Sequence, residues 1–179
     1  YFASIEELRK IPAQVEKVLE CNELVGQIAE EIKEANDIFY LGRGVDYSLA
    51  MEGALKIKEI SYVHAEAFAA GELKHGSIAL IDKGTPVVAI ATQGKLFEKM
   101  VSNMQEVRAR GARVIAITQE GNTEVEKSAD RVIYIPKVDD MFASITAVVP
   151  MQLLAYHASN IRGLDVDKPR NLAKSVTVE

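Results

Sequence analysis

The chain has 179 residues, 48% apolar and 26% charged, with a formal net charge of −5 at pH 7. That composition suits one globular domain with a core of its own, and the negative balance excludes long-range attraction to nucleic acid or to an acidic membrane. Cys21 is the single cysteine, so no internal disulfide can form and a reducing, cytoplasmic setting is expected. No apolar run is long enough to span a bilayer, and Tyr1-Phe2-Ala3-Ser4 opens no signal peptide. A first residue other than Met raises the expectation of a fragment of a longer protein.

Ser4-Ile5-Glu6-Glu7 is a capping-box pattern, and Leu8, Ile11, Val15, Val18 and Leu19 follow at helical spacing. A second helix is predicted over 23–33, ending near Asn36. The period then changes. Residues 37–41 read as a buried strand stopped by Gly42-Arg43-Gly44. Residues 47–62 read as a helix, followed by a looser stretch through Ala70-Gly71 to His75-Gly76. A continuous apolar strand is predicted over 86–91, a helix over 96–110 with Gly111 as its stop, and strands over 114–118 and 131–135. A long apolar helix over 141–161 is closed by Gly163, and the remainder, containing Pro169, shows neither period.

The boundaries drawn are 1–36 for N-terminal helices packing on the domain, 37–163 for an α/β domain, and 164–179 for an irregular tail. Strands alternating with helices predict βαβ units and a doubly wound, mostly parallel sheet. Ligands in such sheets collect at the carboxyl ends of the strands, here Gly42-Arg43-Gly44, Thr92-Gln93-Gly94, Thr118-Gln119 and Pro136-Lys137.

The Gly42-x-Gly44 turn is not a full dinucleotide fingerprint, because the third glycine position holds Tyr47. On the helix that follows, Glu52, Lys56 and Glu59 share one stripe at i, i+4, i+7, while Leu49, Ala50, Ala54, Leu55, Ile57 and Ile60 make the rest largely apolar. Periodicity leaves two readings equally open: an exposed charge ladder, or a buried site whose charges need partners. A carboxylate beside a lysine in such a site is a candidate base. His75, within Gly71-Glu-Leu-Lys-His-Gly76, has the ordinary pKa of a proton shuttle, although spacing alone favours an exposed loop histidine. His64, read as ending a helix, and His157, in the last helix, look structural. Cys21, inside an amphipathic stretch, is a poor nucleophile. No histidine pair has ligand spacing and there is no Cys pair, so no metal or other cofactor is expected. The tail reads either as a frayed terminus or as a strap that delivers Lys174 into a cleft.

Taken together, Gly42-Arg-Gly44, Glu52-Gly-Ala-Leu-Lys-Ile-Lys-Glu-Ile-Ser61, His64-Ala-Glu66, Gly71-Glu-Leu-Lys-His-Gly76 and Asp167-Lys-Pro-Arg-Asn-Leu-Ala-Lys-Ser-Val-Thr-Val-Glu179 resemble the glutamine–fructose-6-phosphate aminotransferase (glucosamine-6-phosphate synthase) family. The resemblance covers essentially the whole chain, as the second sugar-isomerase (SIS) subdomain of that enzyme's isomerase half. It implies a flavodoxin-like fold with helices on both faces. The implied reaction converts fructose 6-phosphate and glutamine-derived ammonia to glucosamine 6-phosphate, for amino-sugar and UDP-N-acetylglucosamine biosynthesis. Lys174 is implied as the Schiff-base residue, Glu59 as the proton shuttle between C1 and C2, and Lys56 as its assistant. His75 is implied as the ring-opening group, reaching the site from a neighbouring subunit, and Ala173 as a backbone contact to the sugar. The implied partners are the sugar phosphate, the first SIS subdomain, the glutaminase domain and a second subunit in a homodimer.

The chain departs from the complete enzyme at Thr92-Gln93-Gly94-Lys95, which lacks the serine cluster with which the family's first SIS subdomain holds phosphate, and the glutaminase domain is missing. Half a site is therefore expected. The alternatives are a non-catalytic phosphosugar-binding SIS module and an SIS isomerase or deglycase for another sugar phosphate. Apolar surface for a partner is expected on the last helix, unless the core absorbs it.

Overall fold

The structure is a computed structural model and describes residues 2–171. Five strands form one parallel sheet in the order β2-β1-β3-β4-β5, where β1 is Asp37–Gly42, β2 His64–Ala69, β3 Pro86–Ala91, β4 Arg113–Gln119 and β5 Arg131–Ile135. The α-helices of the described residues are α1 (Phe2–Val18), α2 (Asn22–Glu31), α3 (Val45–Ser61), α4 (Phe97–Arg108) and α5 (Ala143–Ile161). This is the flavodoxin-like, doubly wound architecture expected from the alternation of periods.

Successive strand side chains point to opposite faces, and the central strands obey this with apolar residues on both sides. Ile38 and Tyr40 of β1, Val88 and Ile90 of β3, and Ile115 and Ile117 of β4 pack under α2, α3 and α5. Their neighbours Phe39, Leu41, Val87, Ala89, Val114 and Ala116 pack under α4 and the segment around Leu73 and Ile81. Helix α5 turns its Ala147, Met151, Leu154 and Ala158 into the first of these cores, so the core absorbs most of the last helix.

Strand β2 is the element that the sequence pattern did not announce. His64-Ala65-Glu66-Ala67-Phe68-Ala69 has no β-branched residue and weak strand propensity. It becomes a strand because β1 offers a complete parallel edge, with Asp37 opposite His64 through to Gly42 opposite Ala69. His64 accordingly opens a strand instead of closing a helix. Cys21 ends a short 3₁₀ turn, Leu19–Cys21, between α1 and α2, where burial raises its thiol above its ordinary 9.0.

Two close approaches fix where α3 lies. A Cβ at Gly42 would collide with the backbone oxygen of Asp46, so only glycine permits the sharp strand-to-helix turn. A Cβ at Gly53 would meet Met151 Sδ at 2.5 Å and Tyr40 Cε1 at 2.8 Å, so α3, α5 and β1 pack backbone-close at that point. The Tyr40 hydroxyl is fully buried without a hydrogen-bond partner among the described residues, and burial holds its phenol well above its ordinary 10.0. An orphaned buried hydroxyl costs roughly 1–3 kcal/mol. Tyr40→Phe is therefore expected to stabilise the chain by about 1 kcal/mol, read as a higher urea midpoint at unchanged m-value. A lower midpoint would show that the hydroxyl has a partner.

Candidate functional site

Helix α3 starts at the carboxyl edge of the sheet and returns to the amino edge, where β2 begins. Glu59 is 14 residues after Val45 and so lies roughly 21 Å along the helix axis from its start. There Lys56 Nζ donates to Glu59 Oε2 at 2.7 Å and sits 3.6 Å from Glu52 Oε1. The side chains are 43% (Glu52), 32% (Lys56) and 29% (Glu59) exposed. The stripe is thus neither a free surface ladder nor a buried cluster; it lies half-sunk beside Met51 and Leu55, which remain exposed. The hydrogen bond to Glu59 raises the Lys56 ammonium above its ordinary 10.5, so it stays charged. Lys56 thus fixes one carboxylate oxygen of Glu59, Oε2.

His75 lies elsewhere. It ends the turn Leu73–His75 that follows the carboxyl end of β2, and its imidazole is exposed. Leu73, which anchors that turn, packs on the sheet face opposite to α3. Within one chain, Glu59 and His75 therefore sit on opposite faces and at opposite edges of the sheet. Lys56 and Glu59 are brought together; His75 is not brought to them. Lys174 and Ala173 lie outside the described residues.

The carboxyl edge, where ligands usually enter, is occupied by the protein's own side chains. The switch point of the topology lies between β1 and β3. It is bridged by Asp46, which is 1% exposed and accepts from Thr92 N at 2.8 Å and from Thr92 Oγ1 at 2.6 Å. Next to it, Asp140 Oδ2 accepts from Gly94 N at 3.0 Å and Asp140 Oδ1 from Gln119 Nε2 at 3.3 Å. Backbone donors that could face an anion are taken by carboxylates. Asp46 and Asp140 escaped the sequence reading; the signal for Asp46 was an acid in the first turn of a helix. Arg43, in the same turn, donates from Nε to Asn103 Oδ1 at 2.9 Å and lies against Gly71.

A cleft of about 590 Å³ next to this edge is lined by Gly94, Lys95, Lys99, Asn122 and Thr123 among others. A second, of about 470 Å³, lies at the amino ends of β1, β2 and β3 and includes Asp37, His64 and Pro86. Neither is lined by Lys56, Glu59 or His75. Among the described residues no group of three His, Cys, Asp or Glu side chains is placed to hold a metal ion, and no helix is long and apolar enough to cross a membrane.

The SIS domain model matches residues 31–162. The chain is 54% identical over 175 residues to a glutamine–fructose-6-phosphate aminotransferase (isomerizing) of Caldanaerobacter subterraneus, and 57% identical over 175 residues to that of Thermus thermophilus. Each alignment covers 98% of this chain but 29% of the relative. Among solved structures, the C-terminal domain of glucosamine-fructose-6-phosphate aminotransferase from Francisella tularensis superposes with a TM-score of 0.86 at 42% identity. That match covers 92% of this chain and 47% of the other. A glucosamine-6-phosphate deaminase from Thermotoga maritima gives a TM-score of 0.73 at 28% identity, covering 92% of this chain and 48% of that one.

Burial pushes the Asp46 carboxyl above its ordinary 3.8, although the hydrogen bonds from Thr92 oppose the shift. A carboxyl whose folded value exceeds its unfolded one binds its proton more tightly in the native state. Its contribution to stability therefore falls as the pH rises from 3.8 through the raised folded value. Asp46→Asn, which can still accept from Thr92 N and donate to Thr92 Oγ1, is expected to flatten that slope. Asp46→Ala orphans both donors and should cost about 2 kcal/mol. Urea titrations between about pH 4 and 7 measure both effects, and an unchanged slope in Asp46→Asn would exclude this carboxyl as its source.

Proposed function

Because the chain belongs to the SIS domain family, we propose that it is the C-terminal SIS subdomain of a glutamine–fructose-6-phosphate aminotransferase working in the cytoplasm. The complete enzyme makes glucosamine 6-phosphate from fructose 6-phosphate and glutamine-derived ammonia. The observation that carries the reading is the 54% and 57% identity over 98% of this chain to aminotransferases of that name. The half-exposed Lys56–Glu59 pair supports it as a proton-transfer site.

In this reading the amine of Lys174 adds to the C2 carbonyl of the open-chain ketose and expels water to give an imine, and glutamine-derived ammonia then adds at C2 and displaces the lysine amine, leaving the sugar's own C2 imine. The imine acidifies the C1–H bond. Glu59 takes that proton and returns it to C2, while the C1–H electrons move into the C1–C2 enamine and back out. Lys56 holds Glu59 Oε2 and steadies that carboxylate. Ala173 contributes a backbone contact. His75 takes and returns the hydroxyl proton on ring opening. It serves the Glu59 of another subunit, as its place on the opposite face of the sheet favours, and a homodimer follows from that role.

Phosphate is held by the first SIS subdomain, in keeping with the carboxylates of Asp46 and Asp140 at this chain's own carboxyl edge. Residues 1–36, 37–163 and 164–179 then act as packing helices, scaffold and lysine-bearing strap. The chain alone carries base and imine groups without a phosphate cradle and is inactive.

In the full-length enzyme, Lys174→Ala is expected to abolish glucosamine 6-phosphate formation while glutamine hydrolysis persists. Glu59→Gln should lower synthesis by roughly 10²–10⁴-fold. Normal sugar turnover in Lys174→Ala would end this reading. Tight, saturable binding of fructose 6-phosphate by the isolated chain would favour a phosphosugar-binding module. Faster turnover of a different sugar phosphate would favour a related isomerase or deglycase.

A further inference from the structure

Past the end of β2 the chain reaches His75 through a passage that is fixed at both ends. Ala70 N donates to Gly42 O at 2.9 Å, which ties the start of the passage to the end of β1. Leu73 is 2% exposed and packs in the core on this face of the sheet. Local bonds close the turn, from Glu72 N to Ala69 O at 2.7 Å and from His75 N to Glu72 O at 3.0 Å. Between the two anchors lie Gly71 and Glu72. What freedom the turn retains, and with it the exposed His75 imidazole, is concentrated there.

Arg43 fills the space behind Gly71. A Cβ at Gly71 would lie 2.8 Å from Arg43 Nη2 and 3.4 Å from its Nη1 and Cζ, so the planar guanidinium lies against the backbone of the turn. The same guanidinium is held from another side. Arg43 Nε donates to Asn103 Oδ1 at 2.9 Å, and Asn103 Nδ2 donates to Glu106 Oε2 at 3.3 Å. Asn103 is 5% exposed and is one of the buried residues of α4 with Met100, Met104 and Val107. An amide in such company is costly unless it is paired, and its partner is the arginine. Strand β1, helix α4 and the His75 turn thus meet at one side chain.

We propose that Arg43 is a positioning residue for His75: wedged between Gly71 and Asn103, it fixes the turn that carries the imidazole. The proposal rests on the reading of His75 as the ring-opening group given above. On ring opening the C2–O5 bond of the hemiketal breaks and its electron pair stays on O5. The C2 hydroxyl loses its proton as the carbonyl forms, O5 gains one, and the imidazole carries it between them. That transfer needs the imidazole within about 2.6–3.2 Å of the oxygen it serves. A turn without its wedge spends a smaller fraction of its time at that distance, and ring opening slows with that fraction.

The test uses the full-length enzyme and two substrates. Fructose 6-phosphate must be opened, whereas its 5-deoxy analogue lacks the hydroxyl that closes the ring and is always open. Arg43→Ala removes the wedge, and Gly71→Ala pushes the guanidinium off Asn103. Both are expected to lower kcat/KM for fructose 6-phosphate about two- to tenfold and to leave the 5-deoxy analogue at the wild-type value. Arg43→Lys keeps the charge without the flat head or the Nε bond and should behave like Arg43→Ala; with Gly71→Ala it carries the test should Arg43→Ala fold poorly. His75→Asn is the reference: it should show the same selectivity, and adding Gly71→Ala to it should cost nothing more. Glutamine hydrolysis should hold its wild-type rate throughout. A residue that only stabilises the fold would slow both substrates together. Equal losses on both substrates in Arg43→Lys and Gly71→Ala, or no loss on either, would overturn the positioning role while a selective His75→Asn keeps the reading of His75. Equal loss on both substrates in His75→Asn would overturn that reading and this inference with it.

Discussion

Strands β1, β3 and β4 lie between two cores, so water reaches neither side of them. Their backbone groups must find partners in neighbouring strands, and the side chains along their centres must be apolar on both faces. That double burial dictates the rest. Helices have to cover both faces, connections have to cross over, and polar chemistry is pushed to the sheet edges and to the outer faces of the covering helices. Gly42 and Gly53 are the points where the requirement is sharpest, because the first turn of α3 at Asp46 is drawn against Gly42 of β1, and α3 at Gly53 against Met151 and Tyr40.

The two edges of the sheet then follow different fates. At the carboxyl edge, Asp46 and Asp140 accept the very N–H groups of Thr92 and Gly94 that would face an incoming anion. Burying Asp46 raises its carboxyl, and the two hydrogen bonds from Thr92 partly offset that cost. The edge is stable because it is filled from within. The chain spans 29% of the relatives it matches.

The other end of α3 carries the Lys56–Glu59 pair. Lys56 and Glu59 are half-exposed and paired at 2.7 Å, and Glu59 lies within one turn of Tyr62. Nothing in the core needs charge there. The left-handed backbone at Tyr62 and the hydrogen bond from Arg170 N to its hydroxyl likewise lie outside the apolar clusters. The cost of these arrangements is carried by a scaffold with two well-filled cores.

Much of this was legible from residue order alone. Apolar runs at 38–41, 86–91 and 114–117 announce buried parallel strands, because burial on both faces leaves no room for alternation. The Glu52–Lys56–Glu59 stripe follows from the helical period, as does the pairing of its members. The segment 64–69 was not legible, because alanine-rich alternation has little strand propensity of its own and becomes a strand only when β1 presents an open edge. Nor could residue order place Glu59 and His75 on opposite faces, since 16 residues of chain are compatible with either face until β2 is laid down. The bond from Asp46 to Thr92 joins residues 46 apart, and that from Tyr62 to Arg170 joins residues 108 apart. Such contacts belong to the packed molecule, because local periodicity carries information over a few turns and the partners here meet only after the sheet has brought distant segments together.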